Sequence, residues 1–487
     1  MAGPSKEMHA DRIPHCYLIM ATSSRHGLLK DEEDNEILAV LEDECRKEGS
    51  AHKNNESSSI GICGGLPQES DNDPEKDYFP PRKMHWLQCA MLNANVIVGV
   101  GVLPVPSAFE YLGWLPAIVL NTAVYLITTI TGLYLMYMHQ LFPTVRSYPI
   151  IFQKYLGKGG LLLGSLLVYT YMMFNMMSMM LTAALSLSSM APNVCLPIFI
   201  AVSACIIYFI GQLRSLCGVS LVATVGLASI LVAMLLVMGY APQLGQNASS
   251  YTSLVGKFGF VTGVLGMDNL VFAYAIHIVL FPFMAEMTAI KDFKKALWTS
   301  QTFAFCFYTS VGAVGYAYLG NTSLLQNPIS LSTPSGAPLY IVNVLVIISM
   351  IIGATTCQNI LTRYTQYYLQ RCGRRKFKDT SFVNRAWWAL WSFVVVALGY
   401  LITSLIPFFG ALVGTAAALI ASNTTFTFPS LFYYLQFRKQ ISFWKSLVAL
   451  FIILFGIVLT VLGGYGAIYS LIQAIEQGGV PFSCSQG

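Results

Sequence analysis

Acidic side chains are almost missing from most of this chain. Of its 23 Asp and Glu, 17 fall before residue 80, from Glu7 to Asp77. Only Glu110, Asp268, Glu286, Asp292, Asp379 and Glu476 serve all that follows. Charged residues are 10% of the whole, against about 25% in a soluble domain, which excludes a water-soluble globular protein. Glycine shows no collagen-like period, and the charge is too low for a chain disordered throughout. No P-loop is present, so the chain does not drive itself by nucleotide hydrolysis. Its 11 cysteines lack metal-ligand spacing, and no zinc, haem, redox site or other cofactor is expected. Nothing points to a nucleic-acid partner or to enzymatic chemistry.

What is present is hydrophobicity. Apolar residues make up 55% of the 487, with a mean hydropathy of +0.60. That is enough for ten or more membrane helices at about 20 residues each. The expected organisation is a tail over residues 1–84, a membrane domain over 85–473 and a short outer C-terminus over 474–487. The tail has no apolar run long enough for a secretory signal. It is rich in Ser, Asn, Glu and Lys, and reads as disordered and cytosolic. The stretch from Glu36 to Glu42 reads as a solvated charge run, with a helical turn or two on a partner as the alternative.

Apolar runs predict an all-α, polytopic protein of eleven spans. They fall near 85–112, 115–138, 161–186, 194–213, 216–240, 259–287, 299–319, 339–368, 386–407, 409–435 and 446–473. With the tail inside, 27 of the 28 Lys and Arg lie on the cytosolic side and only Lys257 lies outside, as the positive-inside rule requires. One helix more or fewer would invert every later segment and destroy this asymmetry. The glycosylation sequons at Asn247 and Asn321 fall in the two longest predicted outer loops. Those at Asn55 and Asn423 fall in the tail and within a span. Cys195 and Cys484 lie near the outer face and form a candidate disulfide.

Two spans are anomalous. The first contains Gly99-Val100-Gly101-Val102-Leu103-Pro104-Val105-Pro106, where the prolines remove N–H groups that a helix needs. An interrupted span is tolerated where protein or a hydrated cavity surrounds it. The half-helix that follows would turn free N–H groups and a positive dipole end toward that cavity, a site for a carboxylate. The sixth span holds Asp268, His277, Pro282 and Glu286, and ionisable groups at mid-membrane depth mark ion or substrate pathways. Their positions, five spans apart, predict a five-plus-five inverted repeat with broken helices 1 and 6 and an added eleventh helix.

These residues carry a resemblance. Asn95 to Leu103, then Pro106-Ser107-Ala108-Phe109 and Leu112-Gly113-Trp114, resemble the first-helix pattern of the amino acid/auxin permease family. Phe272-Ala273-Tyr274-Ala275-Ile276-His277, Pro282 to Met287 and Asp292 to Leu297 resemble its sixth-helix pattern. The likeness covers roughly residues 84–473, nearest to the fungal neutral and aromatic amino acid permeases. The sequence departs from the pattern at Ile276, where relatives often carry Gly, and at Pro104, where related transporters often do.

The resemblance implies secondary active transport of amino acids by alternating access. Backbone donors around Gly99, Val100 and Gly101 would hold the substrate carboxylate, and carbonyls around Phe272, Ala273 and Tyr274 would accept from its ammonium. Tyr169, Thr170 and Tyr171 are candidate walls. No mid-span charge is left to pair with a substrate side chain, so neutral aliphatic and aromatic amino acids are expected. The coupling ion is expected to be a proton, with His277, Glu286 and Asp268 as candidates. Sodium is the alternative, at Asn95, Thr355 and Thr356, and no Lys or Arg occupies the fifth span where some proton-coupled relatives place a cation. An amino-acid-sensing transport-receptor signalling through the tail is a further alternative. The outer sequons, and tail lysines available to ubiquitin or trafficking machinery (Lys6, Lys30, Lys47, Lys53, Lys76), favour the plasma membrane over the vacuolar membrane.

Overall fold

A computed structural model describes residues 84–212, 219–245, 252–256, 259–373 and 382–476. The expectations for the tail and its lysines, Asn247, Lys257, Cys484 and residues 477–487 lie outside these. The described elements are helices, apart from one isolated parallel bridge between Met84 and Met287. The chain divides by contacts into a main body, residues 79–435 with 448–487, and a second unit, residues 1–78 with 436–447. Of the second unit only the helix–turn–helix junction at 436–447 is described.

In chain order the helices are α1 (Trp86–Gly101), α2 (Val105–Leu112), α3 (Trp114–Leu141), α4 (Tyr148–Met190), α5 (Leu196–Ile210), α6 (Val219–Gly245), α7 (Phe260–Tyr274) and α8 (His277–Glu286). There follow α9 (Phe293–Leu319), α10 (Ala337–Gly373), α11 (Phe382–Leu405), α12 (Phe409–Ala416), α13 (Phe428–Phe437) and α14 (Phe443–Glu476). Each predicted apolar run coincides with a helix or with a broken pair. Among the described residues nine helices are long and apolar enough to cross a membrane, or ten with the bent α1–α2 pair taken as one span. The eleventh segment, α5, is described over 15 residues, about 22 Å of rise, and residues 213–218, which continue its apolar run in the sequence, lie outside the described residues.

The first break falls where the glycines and prolines predict it. Gly99 adopts φ −46° and ψ −108°, which turns the peptide joining it to Val100 out of helical register. After a turn at 102–104, α2 leaves at 59° to α1. Gly113 then takes φ +79°, a left-handed conformation that glycine adopts without a steric penalty. The turn it makes is covered by the loop at 252–256: Gly256 N–H donates to Leu112 O at 2.7 Å and Trp114 N–H to Ser253 O at 3.1 Å. A Cβ on Gly113 would stand 2.5 Å from Gly256 N, so the approach leaves no room for any other residue.

The sixth segment breaks at Ala275 and Ile276, between α7 and α8, and Pro282 lies inside α8. Ile276 sits at φ −113° and ψ −3°, a region open to residues with a side chain, so the glycine common in relatives is not needed. A third interruption went unforeseen. Between α12 and α13 the backbone winds as two π-helical turns, Ala417–Ala421 and Asn423–Thr427, a widening that recurs at functional sites. There Ser422 and Thr424 turn their hydroxyls onto the carbonyls of Ala418 and Ile420.

Candidate functional site

The two breaks meet. Between them opens a cavity with about 760 Å³ of empty space, open solvent at its mouth included. From the first break it is lined by Asn95, Gly99, Val100 and Gly101, and from the second by Phe272, Ala273, Ala275 and Ile276. α4 adds Tyr171, Met172, Asn175 and Met179, and α10 adds Ser349, Gly353, Thr356 and Cys357. None of its lining residues is Asp, Glu, Lys, Arg or His.

Tyrosines tie the broken backbones together. Tyr308 of α9 is fully buried, and its hydroxyl reaches Ile97 O at 2.6 Å and Ala273 O at 2.9 Å. One phenolic proton therefore serves a carbonyl from each broken helix. Gly101 makes this approach feasible, since a Cβ there would lie 2.9 Å from both Ala273 O and the Tyr308 hydroxyl. From the other side Tyr171 donates to Ala275 O. Each carbonyl oxygen has a second lone pair, so Ala273 and Ala275 keep acceptor capacity toward the cavity.

Several expected residues stand elsewhere. Tyr169 and Thr170 do not line the cavity, and the Tyr169 hydroxyl pairs with Thr365 Oγ1 at 2.7 Å. Of the three expected walls only Tyr171 lines the cavity, continued along the face of α4 by Asn175 and Met179, each one helical turn on. Tyr274 points away from the cavity, donating to Asn121 Oδ1 at 3.0 Å. His277 also turns to α3, with Nε2 at 2.8 Å from Thr131 Oγ1. The Thr131 hydroxyl proton goes to its own helix carbonyls, Ile127 O at 3.0 Å or Thr128 O at 3.2 Å. Nδ1 of His277 has no hydrogen-bond partner. The residues flanking the sixth break are thus both pinned to α3.

The remaining ionisable candidates lie apart from one another. Glu286 closes α8, where Arg363 of α10 acts on it electrostatically. Its backbone carbonyl accepts from Met84 N–H at 3.0 Å. Asp268 is 1% exposed on α7, and neither carboxyl oxygen has a hydrogen-bond partner. Of the sodium alternative, Asn95 and Thr356 line the cavity but Thr355 does not. The two threonine hydroxyls donate to Ile351 O at 2.7 Å and Ile352 O at 2.9 Å. Asn321 sits in the loop after α9, half-buried, at φ +55°. Cys195, the residue before α5, is disulfide-bonded, with its partner outside the described residues.

Interrupted helices meeting in a cavity within an all-helical, apolar body define a transporter of the broken-helix class. Residues 82–469 match the family described as transmembrane amino acid transporter protein, and the chain belongs to that family. It is 24% identical over 446 residues to the N amino acid transport system protein of Neurospora crassa, covering 87% of this chain and 93% of that one. It is 26% identical over 432 residues to the lysine histidine transporter-like 1 protein of Arabidopsis thaliana, covering 81% and 91%. Among solved structures it shares its fold with the nucleobase-cation-symport-1 family transporter Mhp1. There the TM-score is 0.50 and the identity 14%, over 81% of this chain and 93% of that one. The chain is a multi-pass membrane transporter of amino acids, not an enzyme.

Proposed function

We propose that the protein is a proton-coupled symporter of neutral, aliphatic and aromatic amino acids, working by alternating access at the plasma membrane with its N-terminus in the cytosol. One observation carries the substrate reading: the cavity at the paired breaks is lined by backbone-rich turns at Gly99, Val100, Gly101, Ala273 and Ala275 and by no charged side chain. The substrate carboxylate sits against the turned peptide at Gly99 and Val100, and the ammonium against the free lone pairs of Ala273 and Ala275. Met172, Met179, Ile276 and Cys357 face an apolar side chain. A lysine or glutamate side chain would be desolvated there without a partner, at a cost of several kcal/mol.

Substrate-evoked current under voltage clamp tests this. Neutral amino acids applied at pH 5.5 should give an inward current that persists without sodium and shrinks at pH 7.5. Current that needs sodium would move the coupling ion to Asn95, Thr355 and Thr356. Current from lysine or glutamate as large as from leucine would overturn the neutral pocket.

A further inference from the structure

The carboxyl of Asp268 lies outside the substrate cavity in a place shaped for it. Gly463 of α14 stands directly against it: a Cβ on that glycine would fall 2.5 Å from Oδ1, 2.7 Å from Oδ2 and 2.9 Å from the Ala418 methyl. Ala418 belongs to the first π-helical turn. The acid is therefore clasped between α7, the widened backbone after α12 and a glycine of the last helix. Hydrogen bonds hold that clasp together one turn away, where Ser422 Oγ lies 3.1 Å and Asn423 Nδ2 2.9 Å from Thr460 Oγ1.

Resting on the reading as a coupled amino acid symporter, we propose that Asp268 is the proton-carrying site, physically separate from the substrate cavity and built by the π-helical turn and Gly463. An ionised carboxylate in such a place is unsupported by any donor and would be very costly. The neutral acid fits. A metal cation would lack ligands, since among the described residues no three His, Cys, Asp or Glu gather to hold one. The packed helices bring few rivals for the role. α2 carries Glu110, which meets the backbone of Asn321, and Tyr111. α1 carries Cys89, next to the charge of Glu286. α3 carries Tyr125, stacked on Phe305, and Tyr134, stacked on Tyr433. It also carries Tyr137, near Tyr433, and His139, bonded to Val145 O at 2.7 Å. α12 and the π-helical turns carry none, and Tyr465 and Tyr469 of α14 are exposed.

Coupling follows from the helix that bears the acid. Asp268 lies one turn before Phe272, about 6 Å along the axis of α7, and Phe272 lines the cavity. A tilt of α7 that closes the cavity on substrate also moves the carboxyl against Gly463. One proton enters from the outer solution to make the acid, and the same proton leaves to the cytosol as the carboxylate reforms. Proton-loaded and empty α7 then pack differently on α14, which is the two-state element that coupling requires.

Asp268→Asn, a shape-matched stand-in for the acid, separates coupling from transport. Against wild type, it should retain exchange of labelled for unlabelled substrate within about twofold while losing pH-driven accumulation, the inside-to-outside ratio falling to near one. Accumulation with the wild-type pH dependence would overturn the proposal, as would loss of exchange and accumulation together in a variant delivered normally to the surface. Should Asp268→Asn fail to reach the surface, Gly463→Ala decides. It should shift the pH midpoint of accumulation and leave the concentration of half-maximal exchange unchanged, and an unmoved midpoint would overturn the assignment. If wild type itself shows no pH-driven accumulation, the symport reading fails, and with it the assignment that rests on it.

Discussion

At the scale of single residues, Met179 sets how large a substrate side chain the cavity admits. Its thioether packs on two glycines at once: a Cβ on Gly353 would lie 2.7 Å from its sulfur, and one on Gly99 3.9 Å from its methyl. Methionine is unbranched and adaptable, so it fills this gap without rigidly defining it. Met179→Ala should favour bulky substrates, and the ratio of tryptophan to alanine uptake should rise about tenfold, the discrimination that one or two methylenes give in an apolar pocket. Gly353→Ala should act in the opposite sense by driving the sulfur into the cavity. Competition by a series of amino acids of rising size reads both, and an unchanged order in both variants would remove Met179 from selection. Tyr308 makes a different contribution, because it touches backbone. Tyr308→Phe removes the proton shared by Ile97 O and Ala273 O, a loss of about 1 kcal/mol. It should lower the exchange rate up to tenfold, with surface expression intact.

At the scale of elements, what the sequence showed and what it hid follow from one distinction. Breaks written in backbone chemistry were legible: Gly99, Gly101, Pro104 and Pro106 mark the first interruption to within a residue or two, because glycine and proline act locally. The second was legible only as a neighbourhood. The resemblance put it around Phe272, Ala273 and Tyr274, the chain opens just after them at Ala275 and Ile276, and α8 absorbs Pro282. The π-helical turns between α12 and α13 had no signal, since Ala, Ser and Thr are at home in regular membrane helices too. The cavity face of α4 was legible only as a run of three, Tyr169-Thr170-Tyr171, of which helix phase, set by packing on α10, selects Tyr171. Tyr308 and Met179 were invisible for the same reason. An isolated buried side chain becomes functional through the backbone it meets across sequence separations such as the 211 residues between Tyr308 and Ile97.

At the scale of the whole molecule, the proposed orientation gathers three unrelated features on one face. With the eleven spans expected from the sequence, the Lys and Arg count puts the ends of α5 and α9 that bear Cys195 and Asn321 on the basic-poor side, which the charge rule makes the outer one. Cys195 is disulfide-bonded, and a disulfide persists in an oxidising compartment rather than the cytosol. Asn321 heads a sequon in the loop that follows α9, where a glycan can be attached only from the lumenal or extracellular side. The proposed cytosolic N-terminus puts the disulfide-bonded Cys195 and the sequon at Asn321 together on the basic-poor side. The expected outcome is a mobility shift on deglycosylation of the wild-type protein that Asn321→Gln reduces and Asn247→Gln with Asn321→Gln abolishes. Asn423→Gln should change nothing, because its amide already donates to Leu419 O at 3.0 Å and Thr460 Oγ1 at 2.9 Å within the membrane body. A tag at the N-terminus that antibodies reach in unpermeabilised cells, together with no deglycosylation shift, would invert the molecule. The pairing of Met84 with the end of α8, cytosolic in the proposed orientation, would then face the outside, and the direction of every coupled step would reverse.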